Sequence, residues 1–236
     1  MPVDILALAA HRDDVEQTCA GTLLKMAERG YSTGILDLTQ GEMGTRGSRE
    51  DRAREAAEAA RILKVSWRNA LDIPDGRVEN TWDNRLKVAR VLREQRPRVL
   101  ILPYWEGRHP DHYTASTLGY EAAFLSGLSK LPVEGSAHRP FKIIYASLYR
   151  DVRPTFVVDI SDQFETRFAS LMAYKSQFSD QEAGSGIFPA QKEIRDRVES
   201  MARFYGMLAG VTYAEPFVQK EMALVDDVMT IPVKSI

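Results

Sequence analysis

The chain has 236 residues, 44% of them hydrophobic and 27% charged, enough apolar material for one domain, 1–236, with a large core. Thirty-one basic against 33 acidic residues leave a net charge of -2, which excludes a field able to gather nucleic acid or an anionic membrane, so a small-molecule partner is expected. The single cysteine, Cys19, rules out an internal disulfide and fits a reducing cytoplasm; the acidic N-terminus is unlike a signal peptide, and no apolar run nears the roughly 18 residues of a membrane span.

In chain order, the run VDILALAA (3–10) reads as a first buried strand, followed by a helix over 16–29. STGILDLT (32–39) is a second strand, and 49–63 a helix with Ala56, Ala59, Ala60 and Leu63 on one face. A weaker strand falls at 66–73 and a helix at 82–95; VLILPY (99–104) is again a buried strand, with a helix over 113–127. The segment 128–140 reads as a long loop, 141–149 and 155–160 as strands, and 161–178 and 190–209 as helices. Gly184, Ser185, Gly186 and Pro189 separate those last two helices, in a loop that could form a lid or simply connect them. Strand and helix in repetition predict an α/β fold with a mostly parallel, doubly wound sheet in a single domain.

Two polar clusters follow strands. AHRDDVE (10–16) ends the first, and EGRHPDH (106–112) follows VLILPY about 95 residues later. In an open α/β sheet, strand carboxyl ends converge on the ligand crevice, so the clusters can meet there. They hold three of the four histidines, His11, His109 and His112; His138, between Ala137 and Arg139, is expected to be structural. Imidazole with carboxylate suits zinc or iron(II). If Asp14 binds a metal beside His11, then Asp13 is left to take a proton from water as a general base. Alone, the Asp13–Asp14 pair would read as a helix cap. GEMGTRG (41–47) lacks the spacing of a nucleotide loop and is expected to face substrate, while Arg46, Arg49 and Arg54 read as a solvated helix face.

AHRDDVE followed by GTLLK, and RHPDH about 95 residues on, resembles the LmbE-like, or PIG-L, deacetylases of N-acetylglucosaminyl compounds. The likeness continues through LDIPDGRV and YGMLAGVTYAEPF and is strongest to the N-acetylglucosaminyl-malate deacetylases of bacillithiol biosynthesis. It implies a Rossmann-like fold, one Zn2+ per chain on His11, Asp14 and His112, Asp13 as base, His109 assisting the oxyanion or leaving amine, and Asp111 orienting a histidine. It further implies substrate contacts from Arg52 and Arg108, with Tyr149 or Arg150 reaching the pocket, and a homo-oligomer, with hexamers among the relatives. The sequence departs from the family at Arg12, where Pro or another small residue is usual. Arg12 therefore either faces solvent or joins Arg108 in gripping substrate carboxylates. Trp67 and Trp82 read as core or interface; Trp105 could line a sugar pocket. Two other classes share these residues: a non-haem iron(II) oxygenase built on a two-histidine, one-carboxylate triad, and a non-catalytic binding protein.

Overall fold

The computed structural model describes residues 2–148, 150–179 and 190–233. One seven-stranded sheet runs in the order β3-β2-β1-β4-β5-β7-β6. Strands β1 (Ile5–Ala9), β2 (Thr33–Asp37), β3 (Trp67–Ala70), β4 (Val99–Pro103) and β5 (Lys142–Ala146) are parallel. Strand β7 (Ala214–Val218) is antiparallel to both β5 and the edge strand β6 (Phe156–Asp159). Every residue of β1 and β2 is buried, as continuous apolar strands covered on both faces must be.

One face carries α4 (Trp82–Gln95) and α5 (Pro110–Ser126), which set Val88, Leu92, Ala115 and Leu118 against Leu6, Leu8 and Leu100. Gly119 permits this approach: a Cβ there would lie 2.5 Å from Leu102 Cδ2. The other face packs Val15, Leu23 and Leu24 on Ile5, Ile35 and Ile101. Helix α3 (Arg49–Ile62) opens with a capping box between Ser48 and Asp51, and α4 opens on a Thr81 cap. The expected loop 128–140 is held by buried Arg93, which donates to the carbonyls of Ser126, Leu128, Val133 and Gly135. His138 bonds the Pro97 carbonyl, the structural part expected of it.

Two predicted helices divide. The helix expected over 16–29 is two, α1 (Asp14–Thr18) and α2 (Ala20–Glu28), which break at Cys19. The new N-terminus is satisfied by Glu215 of β7, which accepts from Gly21 N at 2.9 Å and Thr22 N at 2.7 Å. The helix expected over 161–178 is α6 (Phe164–Met172) and the short α7 (Lys175–Phe178), parted at Tyr174. Helix α8 (Gln191–Ala209) ends in left-handed Gly210. Apart from Ser179, the loop between α7 and α8 considered as a lid lies outside the described residues. No described helix is long and apolar enough to cross a membrane.

Candidate metal centre

Strand β1 is flanked by β2 on one side and β4 on the other, so chain direction across the sheet reverses at its carboxyl end. The loop after β1 supplies His11, Asp13 and Asp14; the loop after β4 supplies His109 and, with the first turn of α5, Asp111 and His112. These two segments meet. His11 Nδ1 is 3.1 Å from His112 Nε2, His112 Nε2 is 3.2 Å from Asp14 Oδ1, and His11 Nδ1 is 3.6 Å from Asp14 Oδ2.

Those separations provide a direct test of fit. Tetrahedral ligands about 2.05 Å from zinc stand roughly 3.3 Å apart. Two imidazole nitrogens and one carboxylate at 3.1 to 3.6 Å match that spacing. Two other groupings also converge, His11–His109–His112 and His11–Asp75–Asp111. In the first, His109 Nδ1 already accepts the Asp111 backbone N–H at 3.2 Å as the cap of α5. In the second, Asp75 accepts Met43 N–H at 2.9 Å, and Asp111 accepts Gly76 and Val78 N–H at 2.8 and 3.2 Å. His11 Nε2 lies 3.1 Å from Asp75 and 3.3 Å from Asp111, so with Nδ1 turned to a metal its Nε2–H donates to both.

Asp75 was not among the residues expected at the site. It belongs to the turn after β3, where Gly76 at φ 72° turns the backbone so that its N–H meets Asp111. The stretch LDIPDGRV carried the family resemblance, but a proline–aspartate–glycine turn looks the same with or without a function.

Charge is unevenly distributed here. Burial opposes protonation of His11, yet its bonds to Asp111, Asp14 and Asp75 outweigh that and push its pKa up to about 12. Burial would raise Asp14, but His112 and His11 hold it well below the carboxylate range. Asp13 goes the other way: burial raises it, against the pull of Arg52. Although Asp13 sits at the N-cap of α1, its side chain makes no capping bond, so it is not the helix cap its position alone would indicate. Its carboxylate lies 3.5 Å from Arg52 Nη2 and lines a cleft of about 1060 Å³. Burial and then the neighbouring His11 and His112 lower His109 below its ordinary value, keeping it neutral. The bond accepted at Nδ1 leaves the proton on His109 Nε2 as a donor.

The expected substrate residues divide. Arg108 is exposed and lines the cleft, as does Arg150, which also pairs with Glu106 at 3.0 Å. Arg52 is buried at 4% exposure beneath Asp13, with its guanidinium 5.6 Å from the Tyr174 ring, so it reaches Asp13 and not the open cleft. Arg12 is neither solvent-facing nor in the cleft: it is buried and donates to the Arg49 carbonyl at 3.0 Å. Arg46, expected on a solvated face, is buried and donates to the Gln177 carbonyl. Trp105 packs at a tilt against Tyr104 and edge-to-face against Tyr145 under Lys220 Nζ, on the core side and away from the cleft. Tyr149 lies outside the described residues.

Fold and site together define an α/β protein with a cluster of imidazoles and carboxylates able to hold a metal ion at the sheet's switch point. The chain belongs to the PIG-L family, described as GlcNAc-PI de-N-acetylase, whose profile matches residues 6–123. It is similar to the crystal structure of a conserved protein from Thermus thermophilus, TT1542, at 41% identity and a TM-score of 0.87 over 94% of this chain and 97% of that one. The diacetylchitobiose deacetylase of Thermococcus kodakarensis is 29% identical over 224 residues, 89% of this chain and 80% of that protein. The N,N'-diacetylchitobiose deacetylase of Pyrococcus horikoshii, in complex with its inhibitor MPG, is 25% identical, with a TM-score of 0.79 over 90% of this chain and 82% of that one.

Proposed function

We propose that the protein is a zinc-dependent N-deacetylase that hydrolyses the acetamide of an N-acetylglucosaminyl conjugate, with N-acetylglucosaminyl-L-malate, the bacillithiol precursor, as substrate. One observation carries the reading: the three donors His11, Asp14 and His112 stand at metal-ligand spacing while the adjacent Asp13 carboxylate stays outside them and faces the cleft. Zinc held by those donors supplies Lewis acidity and lowers the pKa of water toward about 7. Asp75 and Asp111 fix His11 in the tautomer that offers Nδ1. Asp13, oriented by Arg52, accepts the proton of the attacking water, and burial raises its pKa toward what a general base needs. His109 Nε2–H donates to the oxygen that gains charge as water adds to the carbonyl carbon. The C–N bond breaks as Asp13 returns its proton to nitrogen, giving acetate and a free amine.

The two diacetylchitobiose deacetylases support the reaction class. For the malate moiety, the support is Arg108 and Arg150 on the cleft wall, where guanidinium forks can meet two carboxylates. The reading includes a reducing cytoplasm, in keeping with the lone buried Cys19, and a homo-oligomer, of which a hexamer is the expected form. Bare apolar side chains in the segment after β7, among them Met222, Leu224, Val228 and Met229, favour such association.

The test is acetate release from a panel of N-acetylglucosaminyl conjugates by wild type and Asp13→Asn. The variant should keep its zinc and lose on the order of 10²- to 10⁴-fold in kcat. Near-wild-type turnover would remove Asp13 as base. If malate gives no advantage in kcat/KM over other conjugates, the bacillithiol assignment falls and the deacetylase stands. Activity restored anaerobically by iron(II) and not by zinc would change the metal.

A further inference from the structure

Arg12 stands between His11 and Asp13, and its side chain is buried at 8% exposure. Nη1 donates to the Arg49 carbonyl at 3.0 Å and Nη2 approaches Gln40 Oε1 at 3.5 Å; Arg49 Nε donates to that same Gln40 oxygen at 2.5 Å. Arg12 thus ties the loop after β1 to both ends of the segment 40–49, which links β2 to α3.

That segment is the support of the centre on three sides. Glu42 accepts from Asp75 N at 2.8 Å, and Met43 N donates to Asp75, whose other oxygen meets His11. Gly41 lies against the guanidinium of Arg52, which faces Asp13. Arg46 and Gln177 exchange bonds at 3.2 and 2.6 Å that bind the segment to α7. Asp37, Arg68, Tyr174 and Arg52 all lie near enough to Arg12 to act on its charge. Burial weighs most on the guanidinium and lowers its pKa, with Asp37 and Tyr174 favouring the charge and Arg68 and Arg52 opposing it.

We infer that Arg12 is a positioning residue for the deacetylase proposed above: it clamps segment 40–49 so that Asp75 holds His11 and Arg52 holds Asp13. It does this by bridging, with two nitrogens of one planar fork, acceptors that belong to opposite ends of the segment. A lysine reaches only one of them. The inference rests on the proposed hydrolysis for its effect on rate, but its effect on metal affinity stands apart from any activity.

The experiment compares wild type, Arg12→Lys, Arg12→Gln, Gln40→Ala and the double variant Arg12→Gln/Gln40→Ala by zinc affinity, by protease cleavage within 40–49, and by kcat and KM. Expected for Arg12→Gln is a loss of about tenfold or more in both zinc affinity and kcat, KM within about twofold, and faster cleavage of 40–49. Arg12→Lys should recover part of each loss and, keeping the charge, serves if the glutamine variant fails to fold. Adding Gln40→Ala should cost less on the Arg12→Gln background than on wild type. Unchanged zinc affinity and kcat in folded Arg12→Gln would overturn the inference, as would a rise in KM alone, which would make Arg12 a substrate contact. If wild type releases no acetate from any conjugate, the proposed function fails while the zinc and protease measurements still decide the role of Arg12.

Discussion

Two charged clusters lie side by side at the carboxyl ends of β1, β2 and β3, and they are built on opposite principles. In one, Glu16 and Asp37 share a single guanidinium: Arg68 donates to Glu16 at 2.6 Å and to both oxygens of Asp37 at 2.9 and 3.1 Å, with Tyr174 OH adding a bond to Glu16. In the other, Asp14, Asp75 and Asp111 surround His11, and no lysine or arginine bond to any of the three is found among the described residues. Both clusters are shielded from water. The first matches two carboxylates with one guanidinium and is part of the framework; the second sets three carboxylates around one imidazole, leaving negative charge in surplus where a cation would be held. Counting buried charges would not separate them. Asking whether each carboxylate already meets a lysine or arginine does.

Removing the cation from the closed cluster should have the largest effect. Arg68→Met leaves Glu16 and Asp37 buried without their shared cation and is expected to cost about 3–5 kcal/mol, read from urea unfolding of the metal-stripped protein. Zinc affinity of the fraction that remains folded should hardly change. A fall in affinity equal to that seen on altering His11 would mean that the two clusters are one.

A smaller effect is expected at the open cluster's outer carboxylate. Asp75→Asn retains the shape but weakens the acceptor for His11 Nε2–H, and should lower zinc affinity by about 10–100-fold with little change in unfolding free energy. Competition with a chromogenic chelator measures it, and undiminished affinity would leave Asp111 as sole orienting group.

The gentlest perturbation is pH. Since the raised pKa of His11 keeps a proton on the ring through neutrality, zinc must displace that proton to bind. Affinity should therefore strengthen with rising pH, by about tenfold per unit between roughly pH 6 and 8 for one proton displaced. A pH-independent affinity in wild type, measured in the same chelator assay, would show that zinc takes an already neutral ring.

Much of the first cluster's surroundings and the meeting of the two polar segments was legible in the sequence, for different reasons. Continuous apolar strands give parallel order, and strand carboxyl ends give the meeting place, so segments 10–16 and 106–112 could be brought together across about 95 intervening residues, while the ligand set within them followed from the family resemblance. Strand β7 was not legible: Glu215 and Pro216 in a five-residue run argue against a central strand. The fold tolerates both because Glu215 caps α2 and Pro216 is paired only with Val157 of β6, outside the register that β7 shares with β5. Likewise the break at Cys19 depends on Glu215, almost two hundred residues away, which no helical spacing within 16–29 can reveal. Asp75 and the inward turn of Arg12 escaped for the same reason. Each is defined by a partner in another loop, His11 for one and Arg49 for the other, and not by a local pattern.

The most direct measurement is a zinc titration of chelator-stripped wild type and Asp14→Ala, followed by thermal melting and acetate release. Expected for wild type is saturation at one zinc per chain, a melting temperature that climbs with free zinc, and activity that returns in step; Asp14→Ala should show none of the three. Wild type that gains neither stability nor activity from zinc or iron(II), or Asp14→Ala that binds as tightly as wild type, would contradict a metal centre on His11, Asp14 and His112.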